Sequence, residues 1–353
     1  MAVRKGNCLY WCSVFLMVLL VSFCSAKQAR RCLGGSEVFV CTLVQFDYEA
    51  GQDVPQFNIS SSVTAVKIIR SPHEMQEYNS DTIRHIREYD SVLHRQLGFP
   101  KAIEIQDTSM HTVEVPAEML YADFSANSIK TITVNPQLPY ALRYLDLDDN
   151  YNLPIENVTH FTRLQSLHLS NCRLETIPDR LFTPMTNLQH LTLAYNRLTA
   201  VDLKQFPPSL TLLFFNRNNL RNMTLGGVIF PSLEHLNVAS NEISSFNATL
   251  ILPLAPKLKL FTIERNPMRR AMVDHIVEEL NRRNISHYNM ENPDEWVCKD
   301  DEIIYDGVCF SENNLESDEA SWSTFGIVST VMVVLAGSAG LGYVIWILYK
   351  RVQ

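Results

Sequence analysis

The chain lacks the short motifs that carry most catalytic chemistry. It has no Gly-rich phosphate loop, no His-Glu-x-x-His pair and no nucleophile elbow around a serine. Serines, histidines and aspartates are present, but scattered residues of these types do not make a catalytic set without a base positioned beside a nucleophile. An enzyme is therefore not expected. Paired Cys-x-x-Cys spacing is also missing, so neither a zinc site nor any other metal or cofactor is expected. Basic charge is in short supply, with 30 Lys and Arg against 38 Asp and Glu and a formal net charge of −8. Such a balance disfavours nucleic acid and anionic lipid as general partners, because both are held by an excess of cations.

What is present is a pattern of eleven residues that returns every 22 to 25 residues. Its clearest copies are Leu164-x-x-Leu167-x-Leu169-x-x-Cys172-x-Leu174, Leu188-x-x-Leu191-x-Leu193-x-x-Asn196-x-Leu198 and Leu233-x-x-Leu236-x-Val238-x-x-Asn241-x-Ile243. The ninth position forms a ladder of Asn127, Asn150, Cys172, Asn196, Asn218, Asn241 and Asn266. A short amide there answers backbone groups left open where the chain turns out of a strand inside a stack. Cys172 reads as a small buried substitute in that ladder; the alternative is a reactive or metal-binding thiol. The leucines at positions 1, 4 and 6 point inward, where each coil covers the apolar face that its neighbour cannot cover alone.

This pattern resembles the leucine-rich repeat signature, which implies an α/β solenoid with a curved parallel β-sheet on its concave side. The regular repeats are expected over 114–268, after an N-terminal cap with degenerate repeats over 27–113. Met119-x-x-Ala122-x-Phe124-x-x-Asn127-x-Ile129 is a weaker copy, while Ile103 with Ile105 and Val63-x-x-Val66-x-Ile68 read as the strands of still weaker ones. Between Ser71 and Leu97 the period fails, and the spacing of Ile83, Ile86, Tyr89 and Leu93 suggests an amphipathic helix or an irregular excursion. Beyond Pro267, Met272, Ile276 and Leu280 fall on one face of an expected capping helix, with Val273 and Val277 beside them.

Both ends carry membrane signals. Arg4 and Lys5 precede the apolar run Leu9 to Phe23, and Cys24-Ser25-Ala26 supplies small residues for cleavage, so 1–26 reads as a signal peptide. An uncleaved anchor is the alternative, and the run is short for one. Phe325 to Tyr349 contains 25 residues without a charge, followed at once by Lys350 and Arg351. That is long enough for a single transmembrane helix over 325–349, leaving 350–353 as a cytoplasmic tail and the repeats outside the plasma membrane in a type I arrangement. So short a tail has no room for a signalling domain. Ala336 with Gly340, and Ser338 with Gly342, are spaced to admit a lateral transmembrane partner or a homodimer.

An outside location makes sense of the remaining signals. Cys8, Cys12 and Cys24 leave with the signal peptide, Cys172 belongs to the ladder, and the remaining four sit at the flanks. Cys32 with Cys41 and Cys298 with Cys309 are the locally simplest disulfides, pinning an end cap on each side (the C-terminal one over 269–310), although other pairings stay open. N-glycan acceptors occur at Asn58, Asn157, Asn222, Asn247 and Asn284. Glu312, Glu316, Asp318 and Glu319 make 311–324 an acidic, solvated stalk.

Positions 3, 5, 7 and 8 of each repeat project from the sheet or flank it. They place Tyr144, His168, His190, Tyr195, Leu212, Phe214, Arg217 and His235 as candidate ligand-binding residues, since aromatics with an arginine are the composition of protein-binding hot spots. The first full repeat presents Asp146, Asp148 and Asp149 instead, an acidic end beside a more apolar centre. His168, His190 and His235 invite a zinc or a mildly acidic pH-sensing reading, but a gently curved sheet does not converge three side chains for zinc.

The plan of signal peptide, repeats with cysteine-bearing flanks, one crossing and almost no tail is similar to the transmembrane members of the insect leucine-rich-repeat immune proteins. That resemblance implies recognition of an extracellular protein or glycoconjugate, in innate immunity as a co-receptor, with homophilic or heterophilic cell adhesion as the alternative. Three features depart from relatives of this kind. The chain has no coiled coil, it has Asn266-Pro267-Met268-Arg269-Arg270-Ala271-Met272 in place of the Asn-Pro-x-x-Cys-x-Cys flank, and no intracellular signalling domain follows the crossing.

Overall fold

The computed structural model of the chain describes residues 29–33, 39–70, 84–224 and 227–287, with the backbone of Glu302–Tyr305 and Val308–Ser311. These residues pack as two units. The first extends to Arg173 and takes in Leu181–Leu188; the second comprises Leu174–Arg180 and the residues from Gln189 onward.

The first unit is a stack of coils, each contributing one short strand. Its strands are β1 (Val40–Val44), β2 (Ala65–Ile69), β3 (Ala102–Ile105), β4 (Tyr121–Asp123), β5 (Tyr144–Asp146) and β6 (Ser166–His168). Each pairs in parallel with the next, so Ala65, Ala102, Tyr121, Tyr144 and Ser166 share one register and Lys67, Glu104, Asp123, Asp146 and His168 another. Alternation along a strand sends Ala122, Leu145 and Leu167 inward, where all three are buried. The parallel register thus reaches back through the weak copies to Val40. On the return limb, Glu88–Tyr89, Thr112–Glu114 and Thr131–Thr133 form a second, smaller parallel sheet.

Of the two readings of the stretch up to Leu97, an amphipathic helix or an irregular excursion, that smaller sheet decides against a helix at Ile86 and Tyr89. Tyr89 pairs with Val113 as a strand residue, and α1 covers only Ser91–Gln96, capped by Asp90, whose Oδ1 accepts the Leu93 N–H at 2.8 Å. Local spacing suggests a longer helix, but burial of Ile86 and Tyr89 against the neighbouring coil prevails. Beneath α1, the hydroxyl of buried Tyr89 lies 2.7 Å from Nδ1 of buried His94, whose Nε2 lies 3.0 Å from Glu118.

The second unit repeats the coil with β7 (His190–Thr192), β8 (Leu212–Phe214), β9 (His235–Asn237) and β10 (Leu260–Thr262), again parallel and in register. Leu191, Leu213 and Leu236 are buried between them. The expected capping helix is α2, Arg270–Arg282, which buries Val273, Ile276, Val277 and Leu280. After it the chain returns, and Ser286 bridges to Leu260 beside the last strand.

The ladder explains why the coils keep their spacing. In the first unit Asn150 accepts the Ile129 N–H at 3.1 Å while its Nδ2 donates to the carbonyls of Phe124 and Leu147, both at 3.0 Å. In the second, Asn218 accepts from Leu198 N at 3.0 Å and donates to Leu193 and Phe215 at 2.9 Å. One amide therefore ties two coils and satisfies three buried backbone groups. Thr108 holds the equivalent place one coil before Asn127, and the two side chains bond at 3.1 Å. Cys172 occupies its slot as a buried thiol whose S–H reaches the carbonyls of Leu147 and Ser170 at 3.3 and 3.4 Å, and burial pushes its pKa up to about 12. The residue before each ladder position turns the chain through the left-handed region. Asp107, Ala126, Asp149, Asn171, Tyr195, Arg217, Ser240 and Arg265 have φ between 53 and 59°, and none is glycine.

Cys32 and Cys41 are bonded, joining the segment at Arg30–Arg31 to β1. The expected Cys298–Cys309 pair lies outside the described side chains, as do the signal peptide 1–26, the stalk beyond Ser311 and the crossing 325–349. Among the described residues no helix is long and apolar enough to cross a membrane.

Candidate functional site

Short strands with alternating residues present two columns of side chains outward in each unit, at the third and fifth repeat positions. In the second unit the third-position register runs His190, Leu212, His235 and the fifth runs Thr192, Phe214, Asn237. The Phe214 and His235 rings meet edge to face with centroids 4.7 Å apart. Burial in this contact holds the His235 pKa down to about 4, so the ring is neutral and acts as part of an apolar surface. At the eighth position the left-handed turn swings side chains off the strand ends. There the Arg217 guanidinium lies 4.9 Å from the ring centroid of Tyr195, which is 50% exposed. Six of the eight candidate residues thus belong to this unit, and within it they meet as the pairs Phe214 with His235 and Tyr195 with Arg217.

Tyr144 and His168 belong to the first unit, in different company. Tyr144 stacks on Tyr121 of the preceding strand, with centroids 4.1 Å and planes 5° apart, and its other neighbour is the His168 ring at 5.2 Å. The Tyr144 hydroxyl donates to Asp146 Oδ2 at 3.1 Å, and Asp146 Oδ1 accepts the Asp148 N–H at 2.9 Å. The Ser166 hydroxyl lies 2.9 Å from His168 Nε2. Asp148 accepts from the Ser170 N–H across the coils. Burial, then the neighbouring Asp146, raises the Asp148 pKa to about 7; burial and Asp123 raise that of Asp146. Asp123 is only 7% exposed and is held by Gln106 Nε2 at 2.7 Å and by Ser125.

Asp146, Asp148 and His168 bring one donor atom each within 4.8 Å of one another, the one set among the described residues with the spacing to hold a metal ion. The histidine trio does not contribute to it as a group, since only His168 takes part.

Tyr121 and Asp123 were not among the candidates read from sequence. Their coil has Ala122 where a leucine is usual, which weakened the repeat, yet counting one period back from Tyr144 and Asp146 lands on both. The five glycan acceptors are exposed, and none stands on β1 to β10. Asn58 and Asn222 are on small return-limb strands, Asn157 is in the turn Glu156–His160, Asn247 caps Ala248–Ile251 and Asn284 follows α2.

With coils, ladder and outward columns in place, comparison with known proteins agrees on the class. Residues 162–220 match the model of the leucine-rich repeat family. Over those residues the chain carries leucine-rich repeats. It is similar to Toll-like receptor 9 of Sus scrofa, 28% identical over 191 residues that cover 51% of this chain and 16% of that protein. Toll-like receptor 2 of Boselaphus tragocamelus is 25% identical over 242 residues, covering 64% of this chain and 30% of the receptor. Among solved structures, the leucine-rich repeat domain of APL1B aligns with a TM-score of 0.48 and 20% identity, over 77% of this chain and 78% of that one. The chain spans less than a third of the length of the Toll-like receptors that it matches.

Proposed function

We propose that the chain is a non-catalytic cell-surface receptor component that binds an extracellular protein or glycoconjugate and acts in innate immunity beside a signalling partner. The observation that carries this reading is the second unit's set of outward aromatic pairs, half-exposed Tyr195 under Arg217 and Phe214 edge to face with His235. Rigid aromatic rings and an arginine contribute most to protein recognition because they bury area at low entropic cost. None of the expected glycan acceptors stands on the strands of this surface, and resemblance to receptors with the same repeats supports the same reading.

Cells displaying the full chain test it. An antibody to the repeats should stain intact cells, and the chain should retain a specific component of extracellular fluid. Phe214→Ala combined with Arg217→Ala should reduce that retention at least about tenfold at equal surface level. Retention at full strength in the double variant removes this site from the proposal. If expressing cells instead clump with one another or with non-expressing cells while retaining nothing from fluid, the adhesion reading replaces it.

A further inference from the structure

We propose that the strand face of the first unit docks a basic segment of a protein ligand, taking its arginine side chains on the Tyr121 and Tyr144 shelf and against the carboxylates of Asp146 and Asp148. The inference rests on the reading of the chain as a binding protein and names the chemistry of its partner.

Three features point to a planar cation. The third-position register runs Ala65, Ala102, Tyr121, Tyr144, so the ring of Tyr121 is covered on one face by Tyr144, and on its other side the column continues with the small residues Ala102 and Ala65. Tyr121 remains 37% exposed. A guanidinium fits above Ala102 as the next layer of that stack, held by the π face and by acceptors alongside. The fifth-position register supplies those acceptors as Glu104, Asp123 and Asp146, with Asp148 one turn on.

The carboxylates also lack a cation of their own. Glu104 is paired with Lys67 at 2.5 Å, but among the described residues neither Asp123, Asp146 nor Asp148 pairs with a lysine or an arginine. Packed together and partly withdrawn from water, they repel, and a cation arriving from outside relieves that repulsion. A bare metal ion at Asp146, Asp148 and His168 would use the carboxylates but gain nothing from the tyrosines. A basic segment uses both, one guanidinium stacking on Tyr121 beside Asp123 while another donates parallel N–H bonds to Asp146 and Asp148 in the next coil.

Fluorescence anisotropy of labelled tetra-arginine against the full chain in non-ionic detergent tests this, with tetra-glutamate, zinc and calcium as the other arms. Tetra-arginine should bind and tetra-glutamate should not. Asp146→Asn with Asp148→Asn should weaken binding about tenfold or more and Tyr121→Ala about fivefold, whereas Ile229→Ala, at an exposed residue outside both sites, should bind as wild type does. Circular dichroism confirms that each variant is folded. Unchanged affinity in the folded aspartate variant overturns the proposal, as does stoichiometric zinc or calcium binding at these residues that tetra-arginine cannot displace. If tetra-arginine binds through these residues while displayed chain retains nothing from extracellular fluid, this site stands and the broader functional reading falls. Retention from fluid without tetra-arginine binding overturns this site and leaves the broader reading standing.

Discussion

The backbone N–H of Asn152 donates to the carbonyl oxygen of Cys172 at 3.0 Å. In neighbouring coils, the N–H two residues after a ladder position is received by the next ladder amide, as Ile129 N is by Asn150 and Leu174 N by Asn196. A thiol is a much weaker acceptor than an amide oxygen, and here the Asn152 N–H is received by a main-chain oxygen instead. The substitution in the ladder is therefore compensated by the backbone. Cys172→Ala should lose only the weak S–H contacts and a small volume, costing about 1 kcal/mol. Asn196→Ala strands the Leu174 N–H and the Ala194 carbonyl, leaves the Leu193 carbonyl with only its Asn218 donor, and should cost about 3 kcal/mol. Urea denaturation of the two variants measures the contrast.

Ala126 occupies a left-handed turn at φ 53° with its N–H bonded to Asp148 O at 2.9 Å. Alanine has no side-chain polar group to favour that region, and a glycine there keeps the hydrogen bond without the Cβ clash. Ala126→Gly should stabilise by about 0.5 kcal/mol, the gain in strain slightly exceeding the extra entropy of the unfolded chain. Asn171→Gly, from a residue that tolerates this region, should be nearly neutral. A rise in thermal midpoint for the first variant without one for the second is the expected result.

Leu191 and Leu236 fill the interior between strands of the second unit and are nearly fully buried. Truncating either to alanine should cost about 2 to 5 kcal/mol, from lost transfer energy and the cavity that rigid neighbouring coils cannot close. Denaturation midpoints report the loss.

Two groups give stability opposite dependences on pH. Folded Asp148 keeps its proton up to about 7, whereas an unfolded aspartate loses it near about 3.9, so its contribution is fully present below that lower value and disappears as pH rises through 7. Asp148→Asn should therefore be more stable than wild type at pH 8 and close to it at pH 4. His235 runs the other way: its pKa falls from about 6.5 unfolded to about 4 folded, so stability present above the first value is lost as pH drops through the second. His235→Leu should flatten the loss between pH 6 and 4. Melting both variants across pH 4 to 8 tests the two signs together.

The inward leucines, the asparagine ladder and the capping face of α2 were legible because each is a local recurrence, and a period needs no knowledge of what lies beside it. The pairing of Cys32 with Cys41 was legible for a similar reason, being a short loop beside a strand. Less could be read before Asn127, where Thr108 stands in the ladder and Ala122 replaces a leucine; one-coil departures hide a repeat that backbone pairing still enforces. Spacing alone does not choose between a helix and an irregular excursion before Leu97, since propensity along the chain says nothing of Val113 waiting to pair with Tyr89.

The chain's own order of residues determined that it coils, at what stride, and which side chains go inside, because those follow from hydrophobic spacing and from amides placed to satisfy turns. Only the folded stack decided which outward residues become neighbours. Tyr121 meets Tyr144, and Asp146 meets His168, across strands more than twenty residues apart, and burial there lifts the Asp148 pKa while lowering that of His235. Register between strands creates such contacts, and the electrostatics of a carboxylate or an imidazole depend on how much water its neighbours exclude.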